Sequence, residues 1–179
     1  MIINQATVDL VKRFEGLRLE AYQDSVGVWT IGYGTTAMAG LGITPRAGMT
    51  ITEAQAEEYL RLGLEKFADE IRPHIHAPIN ENQFGAFVSL SYNIGSPAFI
   101  QSSALRFFNA GETDKAGEAM LWWNKAKGKT LRGLVLRREA ELELFRTPVV
   151  EPEKDSKSIW ELIVNFLVTV LNGGRSGKT

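Results

Sequence analysis

The sequence predicts an α+β fold, mainly helical, in which a small β-hairpin lobe meets a larger helical lobe. Three observations predict it. Residues 17–36 alternate with period two around a turn-forming Asp24-Ser25-Val26-Gly27, the signature of a hairpin. Residues 52–146 instead carry apolar side chains at helical spacing, opened by two capping signals, Thr52 with Gln55 and Asn80 with Gln83. The length, 179 residues with 44% hydrophobic side chains and no cysteine, suits one domain with an appendage.

The elements follow in order. Residues 5–14 read as a short helix, with Val8, Val11 and Phe14 on one face and Gly16 as its stop. Leu17, Leu19 and Ala21 alternate with Arg18, Glu20 and Tyr22 as a first strand. Val28–Gly34 is a β-branched and aromatic second strand, followed by a Gly-rich stretch through Gly48. The helix opened by Thr52 presents Ala56, Tyr59, Leu60, Leu64, Phe67 and Ile71 on one face. Pro73 and Pro78 bracket a loop holding His74 and His76. A helix capped by Asn80 carries Phe84, Phe87, Val88 and Ser91 and ends near Gly95. Further helices are expected at 97–100, 102–109, 114–123 and 134–145. No internal repeat is present.

Composition excludes whole classes of function. The ordinary balance of apolar and charged residues excludes a disordered or collagen-like chain. Without cysteine there is no thiol nucleophile and no Cys-based zinc site. Two histidines separated by one residue face opposite ways in an extended loop, so no metal site is expected. A net charge of −1 argues against nucleic acid as a partner. The even total conceals an acidic portion, residues 1–103 with 7 basic and 11 acidic side chains, and a basic one, residues 104–146 with 9 and 6. Residues 122–138 hold Lys125, Lys127, Lys129, Arg132, Arg137 and Arg138 and no acid. These six are a solvated surface, a site for an anionic polymer, or partners for a carboxylate elsewhere.

The domain is expected to span residues 1–146. Residues 147–158, polar with two prolines, read as a linker. Residues 159–172 read as an apolar helix with Glu161, Asn165, Thr169 and Asn172 on one stripe, and 173–179 as a polar tail. At ~1.5 Å per residue such a helix is too short for a ~30 Å hydrocarbon core. Three roles remain open for 159–171: docking on its own domain, self-association, or contact with a membrane surface. The N-terminus, with Asn4, Gln5, Asp9, Lys12 and Arg13, does not read as a signal peptide.

Glu15, Asp24 and Thr30 are the candidates for chemistry; an N-cap Asp and a surface Glu are the alternative reading of the two acids on spacing alone. Glu15 ends the first helix, Asp24 begins the hairpin turn and Thr30 lies on the returning strand. Two carboxyls facing each other across a cleft suit glycoside hydrolysis. One must be protonated to serve the leaving oxygen, and the other ionised to activate water or stabilise a cationic sugar ring.

The local sequence is more specific than the spacing. Phe14-Glu15-Gly16-Leu17-Arg18-Leu19-Glu20-Ala21-Tyr22-Gln23-Asp24, followed by Gly27-Val28-Trp29-Thr30-Ile31-Gly32-Tyr33-Gly34, resembles the phage-type lysozymes, or endolysins, of glycoside hydrolase family 24. Ser91–Gly95, Ser102–Arg106, Trp123–Ala126 with Gly128, and Gly133–Glu141 resemble later family segments, in the family's order, over residues 4–146. The resemblance implies a lysozyme-like two-lobed domain with an active cleft between the lobes. It implies a muramidase that cuts the β-1,4 bond between N-acetylmuramic acid and N-acetylglucosamine in peptidoglycan during host lysis. Carried over by motif, Glu15 is the general acid, Asp24 its counterpart as base or nucleophile, and Thr30 the residue positioning water. The resemblance implies inversion at the anomeric carbon. Tyr92, Asn93 and Ser103 match positions that line the cleft in relatives; helix packing and a cap are the alternative reading. Thr35-Thr36 departs from the family, many members of which carry His after the glycine matching Gly34. No cofactor is implied, since proton transfer between carboxyls needs none. The implied location is the cell wall, reached from the host cytoplasm through a separate pore, a holin.

Overall fold

The computed structural model describes residues 2–149 together with Ile163 and Val164. The chain separates into two compact units, Met1–Val149 and Val150–Thr179. In the second unit the described pair is helical and exposed. The linker and the rest of the C-terminal helix expected from sequence lie outside the described residues.

The first unit has the expected class, α+β and mainly helical. Helix α1 (Gln5–Glu15) is opened by Asn4, whose side chain accepts from the Thr7 N–H at 3.0 Å. It closes at Gly16, whose φ of 71° is a conformation a glycine adopts without penalty. Strand β1 (Arg18–Gln23) pairs antiparallel with β2 (Trp29–Gly32), which pairs with a short β3 (Thr35–Thr36). The hairpin is thus a three-stranded sheet. A strap at residues 49–51 holds its outer edge: Ala21 N donates to Met49 O at 2.8 Å and Ile51 N to Leu19 O at 2.9 Å.

Helix α2 (Glu53–Ile71) and helix α3 (Glu81–Ile94) both carry complete capping boxes, Thr52 with Gln55 and Asn80 with Gln83. Helices α4 (Ser96–Ile100), α5 (Ser103–Asn109), α6 (Thr113–Met120) and α7 (Arg132–Arg146) complete the helical lobe. Between α6 and α7 the chain forms a second hairpin, β4 (Lys125–Ala126) and β5 (Lys129–Thr130), where the sequence alone suggested no strand. Its two-residue turn places Lys127 at φ 49° and Gly128 at φ 76°, the left-handed pair that a tight antiparallel turn requires. Strands of two residues are too short to show an alternating pattern.

α3 organises the body. Asn82 and every residue from Phe84 to Ser91 are buried, the mark of a helix enclosed on all sides. It packs on α1, α2, α4 and α7. Its Phe87 ring meets Phe99, Phe108 and Phe145 with centroids 5.0, 5.2 and 5.2 Å away, spacings suited to offset and edge-on aromatic contact. α1, first in sequence, also belongs to this body, through α3 and α7.

The α1–α3 crossing is close enough to forbid a methyl group. A Cβ at Gly85 would stand 1.8 Å from Oγ1 of Thr7, a fully buried side chain held by Asn4 Oδ1 at 2.8 Å. Gly85→Ala is therefore expected to lower unfolding free energy by about 1–3 kcal/mol through overpacking. Urea denaturation should move its midpoint without changing its slope, and Thr7→Ala in the same chain should recover part of the loss.

Candidate active site

Glu15 is the last residue of α1, so its side chain leaves a rigid helix while the backbone turns away at Gly16. A negative charge at a helix C-terminus meets the negative end of the helix dipole. Arg137 on α7 supplies the compensating charge, its NH1 standing 2.6 Å from Glu15 Oε1. The arginine is buried and the Glu15 side chain is 23% exposed. One partner is thus fixed in the protein and the other reaches a solvent-accessible face.

That face is a cavity of about 470 Å³. Glu15 lies on its wall with Tyr92 and Asn93 from α3. The sheet side supplies Gly34, Thr35 and Met38, and α2 supplies Tyr59, Lys66, Phe67 and Glu70. A second recess of about 370 Å³ shares Glu15 and Asn93 and adds Phe14, Leu131, Leu134 and Arg137. Glu15 and Asn93 therefore stand where two recesses meet, and clefts of this size are the usual places for small-molecule and polymer ligands.

Asp24 lies at the β1–β2 turn. Its Oδ1 accepts from the Val26 and Val28 N–H groups, each at 2.9 Å, an Asx turn that fixes the carboxyl against its own loop. Thr30 is buried on β2, opposite Tyr22 and Thr36, and its hydroxyl donates to Val28 O at 3.1 Å. Asp24 and Thr30 thus share one hairpin but do not line the 470 Å³ cavity. Ser103 opens α5, where its Oγ accepts from Arg106 at 3.3 Å, and it does not line that cavity either. Of the six residues singled out from sequence, the cavity brings together Glu15, Tyr92 and Asn93.

Tyr92 is tied across the lobes, its hydroxyl donating to Tyr33 O at 3.2 Å. Burial, reinforced by the charge of Glu15, pushes its phenol up to about 12, so it remains a neutral donor.

Sequence reasoning missed the contribution of α2. Tyr59, Gly63, Lys66, Phe67 and Glu70 face the cavity at helical spacing, whereas Ala56, Leu60, Leu64, Ala68 and Ile71 are the buried face. Tyr59 and Phe67 belong to a second, wetter face. The interruption of the apolar pattern by Lys66 and Glu70 was the available signal. The basic run at 122–138 also divides. Lys125, Lys127, Lys129 and Arg132 are exposed, whereas Arg137 and Arg138 are buried. Both arginines bind Glu141 Oε1, at 3.2 and 2.7 Å, and Ser89 Oγ donates to the same oxygen at 2.7 Å. Burial pushes the Glu141 carboxyl above its ordinary range and the Arg138 guanidinium below its own, while their mutual attraction opposes both shifts. Among the described residues no cluster of three or more His, Asp or Glu side chains could hold a metal ion.

The family described as Phage lysozyme matches residues 12–141 of this chain. The chain belongs to that family. It is 40% identical over 151 residues to the endolysin of Acyrthosiphon pisum secondary endosymbiont phage 1, covering 82% of this chain and 99% of that one. It is 41% identical over 149 residues to the endolysin of Bacillus phage PZA, covering 82% of this chain but only 56% of the relative, so it spans little more than half of that protein. Among solved structures, the muramidase domain of SpmX from Asticaccaulis excentricus superposes with a TM-score of 0.73 at 39% identity. That likeness covers 82% of this chain and 98% of the domain.

The raised phenol of Tyr92 makes an alkaline prediction. A group held protonated in the fold contributes stability that is complete below its unfolded value, ~10, and is lost as pH rises toward the folded value. The wild type should therefore lose stability between about pH 10 and 12. Tyr92→Phe should lose less over the same interval, as followed by denaturant midpoints.

Proposed function

We propose that the protein is an endolysin with muramidase activity, hydrolysing the β-1,4 bond between N-acetylmuramic acid and N-acetylglucosamine of peptidoglycan. The observation that carries the reading is a half-buried carboxyl, Glu15, at the junction of two recesses in a chain of the phage lysozyme family. The names of the relatives, endolysin and muramidase domain, support the reaction class.

In this reaction Glu15 acts in its protonated form and gives that proton to the glycosidic oxygen as the bond from that oxygen to the muramic acid C1 breaks; the ion pair with Arg137 corresponds to its state after transfer. Water attacks C1 from the opposite face, and Asp24 takes the water's proton. The carboxylate left on Glu15 is met by Arg137, already in place. Asp24 is suited to its role because the Asx turn occupies Oδ1 and leaves Oδ2 to orient the water. Thr30, on the same hairpin, is the residue proposed to help position that water. We propose inversion as the stereochemical course, so hydrolysis of the β-linked strand releases the α-anomer first. Tyr92 and Asn93 contact the glycan in the cavity, with Ser103 proposed as a further contact outside it. Peptidoglycan glycan strands are the partner and the cell wall the place of action, with a holin as the route. The catalytic domain is proposed to span residues 1–146, α7 ending at Arg146.

Three measurements test this reading. Glu15→Gln should slow clearing of purified peptidoglycan by about 10²–10⁴-fold, the usual worth of a placed proton donor, and undiminished clearing would refute the assignment. NMR of the first reducing ends formed should show the α-anomer ahead of mutarotation; an initial β-anomer would replace inversion by retention. On purified wall, a chain ending at Arg146 should clear at the full-length rate.

A further inference from the structure

Glu141 is fully buried on α7 and touches neither recess, yet its carboxyl is where the charges behind Glu15 converge. Four ionisable groups form a chain: Glu15 to Arg137 at 2.6 Å, Arg137 to Glu141 at 3.2 Å, and Glu141 to Arg138 at 2.7 Å. With Glu15 as carboxylate the signs alternate and cancel. The Arg137 guanidinium uses its three nitrogens in three directions. Nε goes to Glu141, NH2 to the Ser89 carbonyl at 3.4 Å and NH1 to Glu15. A planar fork held at two corners can extend its third in only one direction. α3 contributes Ser89, and also Tyr92, whose phenol senses both Glu15 and Arg137. α1 contributes Glu15 itself.

A buried pair such as Arg138–Glu141 is seldom retained for stability, because desolvation offsets most of its attraction. This one also leaves Arg138 Nε and NH1 and Glu141 Oε2 without protein partners. Its cost is out of proportion to packing alone, and its geometry has one outlet, the NH1 that reaches Glu15.

We propose that Glu141 is a positioning residue for hydrolysis, fixing the direction and the net charge with which Arg137 meets the proton donor. The proposal rests on the reading of Glu15 as that donor. Replacing the Glu141 carboxylate with an amide removes one negative charge from the chain and leaves Nε only a neutral amide oxygen, a weaker anchor. Arg137 then carries an unbalanced positive field toward Glu15. The donor is held less well for transfer, and its carboxylate form is favoured.

The test is kinetic, on the full chain with solubilised peptidoglycan. Glu141→Gln should lower kcat about tenfold or more, while KM changes by less than about twofold, the pattern of an interaction felt only in the chemical step. The alkaline limb of the kcat profile should move to lower pH, because the charge removed is negative. The paired variant Glu141→Gln with Arg138→Gln leaves no unbalanced buried charge beyond the Arg137–Glu15 pair, which protects the fold. It should keep the lowered kcat, because Arg137 still lacks its charged anchor, and should return the alkaline limb toward wild type. Lower thermal stability accompanied by wild-type kcat and an unmoved pH profile in both variants would overturn the proposal. Glu15→Gln serves as the separating control. If it is inactive while both Glu141 variants match wild type, the positioning role alone falls. If Glu15→Gln keeps full activity, the donor assignment falls and the positioning role with it.

Discussion

The arrangement depends on one guanidinium. Arg137 is buried on α7, and from there its three nitrogens hold Glu15 at the end of α1, the Ser89 carbonyl of α3 and Glu141 one turn along its own helix. A buried cation with each nitrogen engaged cannot relax without leaving charges unpaired. It therefore converts the packing of three helices into a fixed position for one carboxyl oxygen. The enclosure of α3 serves the same end, since Ser89 can present its carbonyl and hydroxyl to this group only because the helix is surrounded.

The two halves of the candidate site are held by different physics. Glu15 is positioned by contacts distant in sequence, from α7 and α3. Asp24 and Thr30 are positioned locally, by a turn that closes on itself within five residues and by strand pairing. The first arrangement depends on the global fold and the second on a hairpin strapped down by residues 49–51. Tyr92 links them, with its ring beside Glu15 and its hydroxyl on the Tyr33 carbonyl of the sheet side. Because burial keeps that phenol un-ionised, the link stays a donor at any pH at which a carboxyl pair could divide acid and base roles.

What was legible in the sequence was whatever is encoded locally. Both capping boxes were visible because the pairs Thr52/Gln55 and Asn80/Gln83 contain the whole interaction. Gly16 as a helix stop and the hairpin around Asp24 were visible for the same reason. Glu15 and Asp24 stood out through a run of neighbours resembling a known family. The β4–β5 hairpin was not legible, because two-residue strands carry no period and their cue is a single left-handed Lys127-Gly128 turn. Nor was the division of the basic run. Lys125 and Arg137 are alike as charges, and only the tertiary fold sends one to solvent and buries the other against Glu141. The wet face of α2 lay hidden because Tyr59 and Phe67 satisfy a core pattern as readily as a cavity wall.

The 122 residues that separate Glu15 from Arg137 have a consequence for the order of events in synthesis. α1 precedes its neighbours α3 and α7 in the chain, and α7 comes at the end of the first compact unit. Contacts of such long range must close a large loop before they return any stabilisation. The hairpin bearing Asp24 and Thr30 can form early, whereas Glu15 stays without its cation until the chain has been made as far as Arg137. A nascent or truncated chain lacking α7 thus carries Glu15 and Asp24 but not the arginine that holds Glu15. The timing of competence is set by the last helix of the body and not by Glu15 itself.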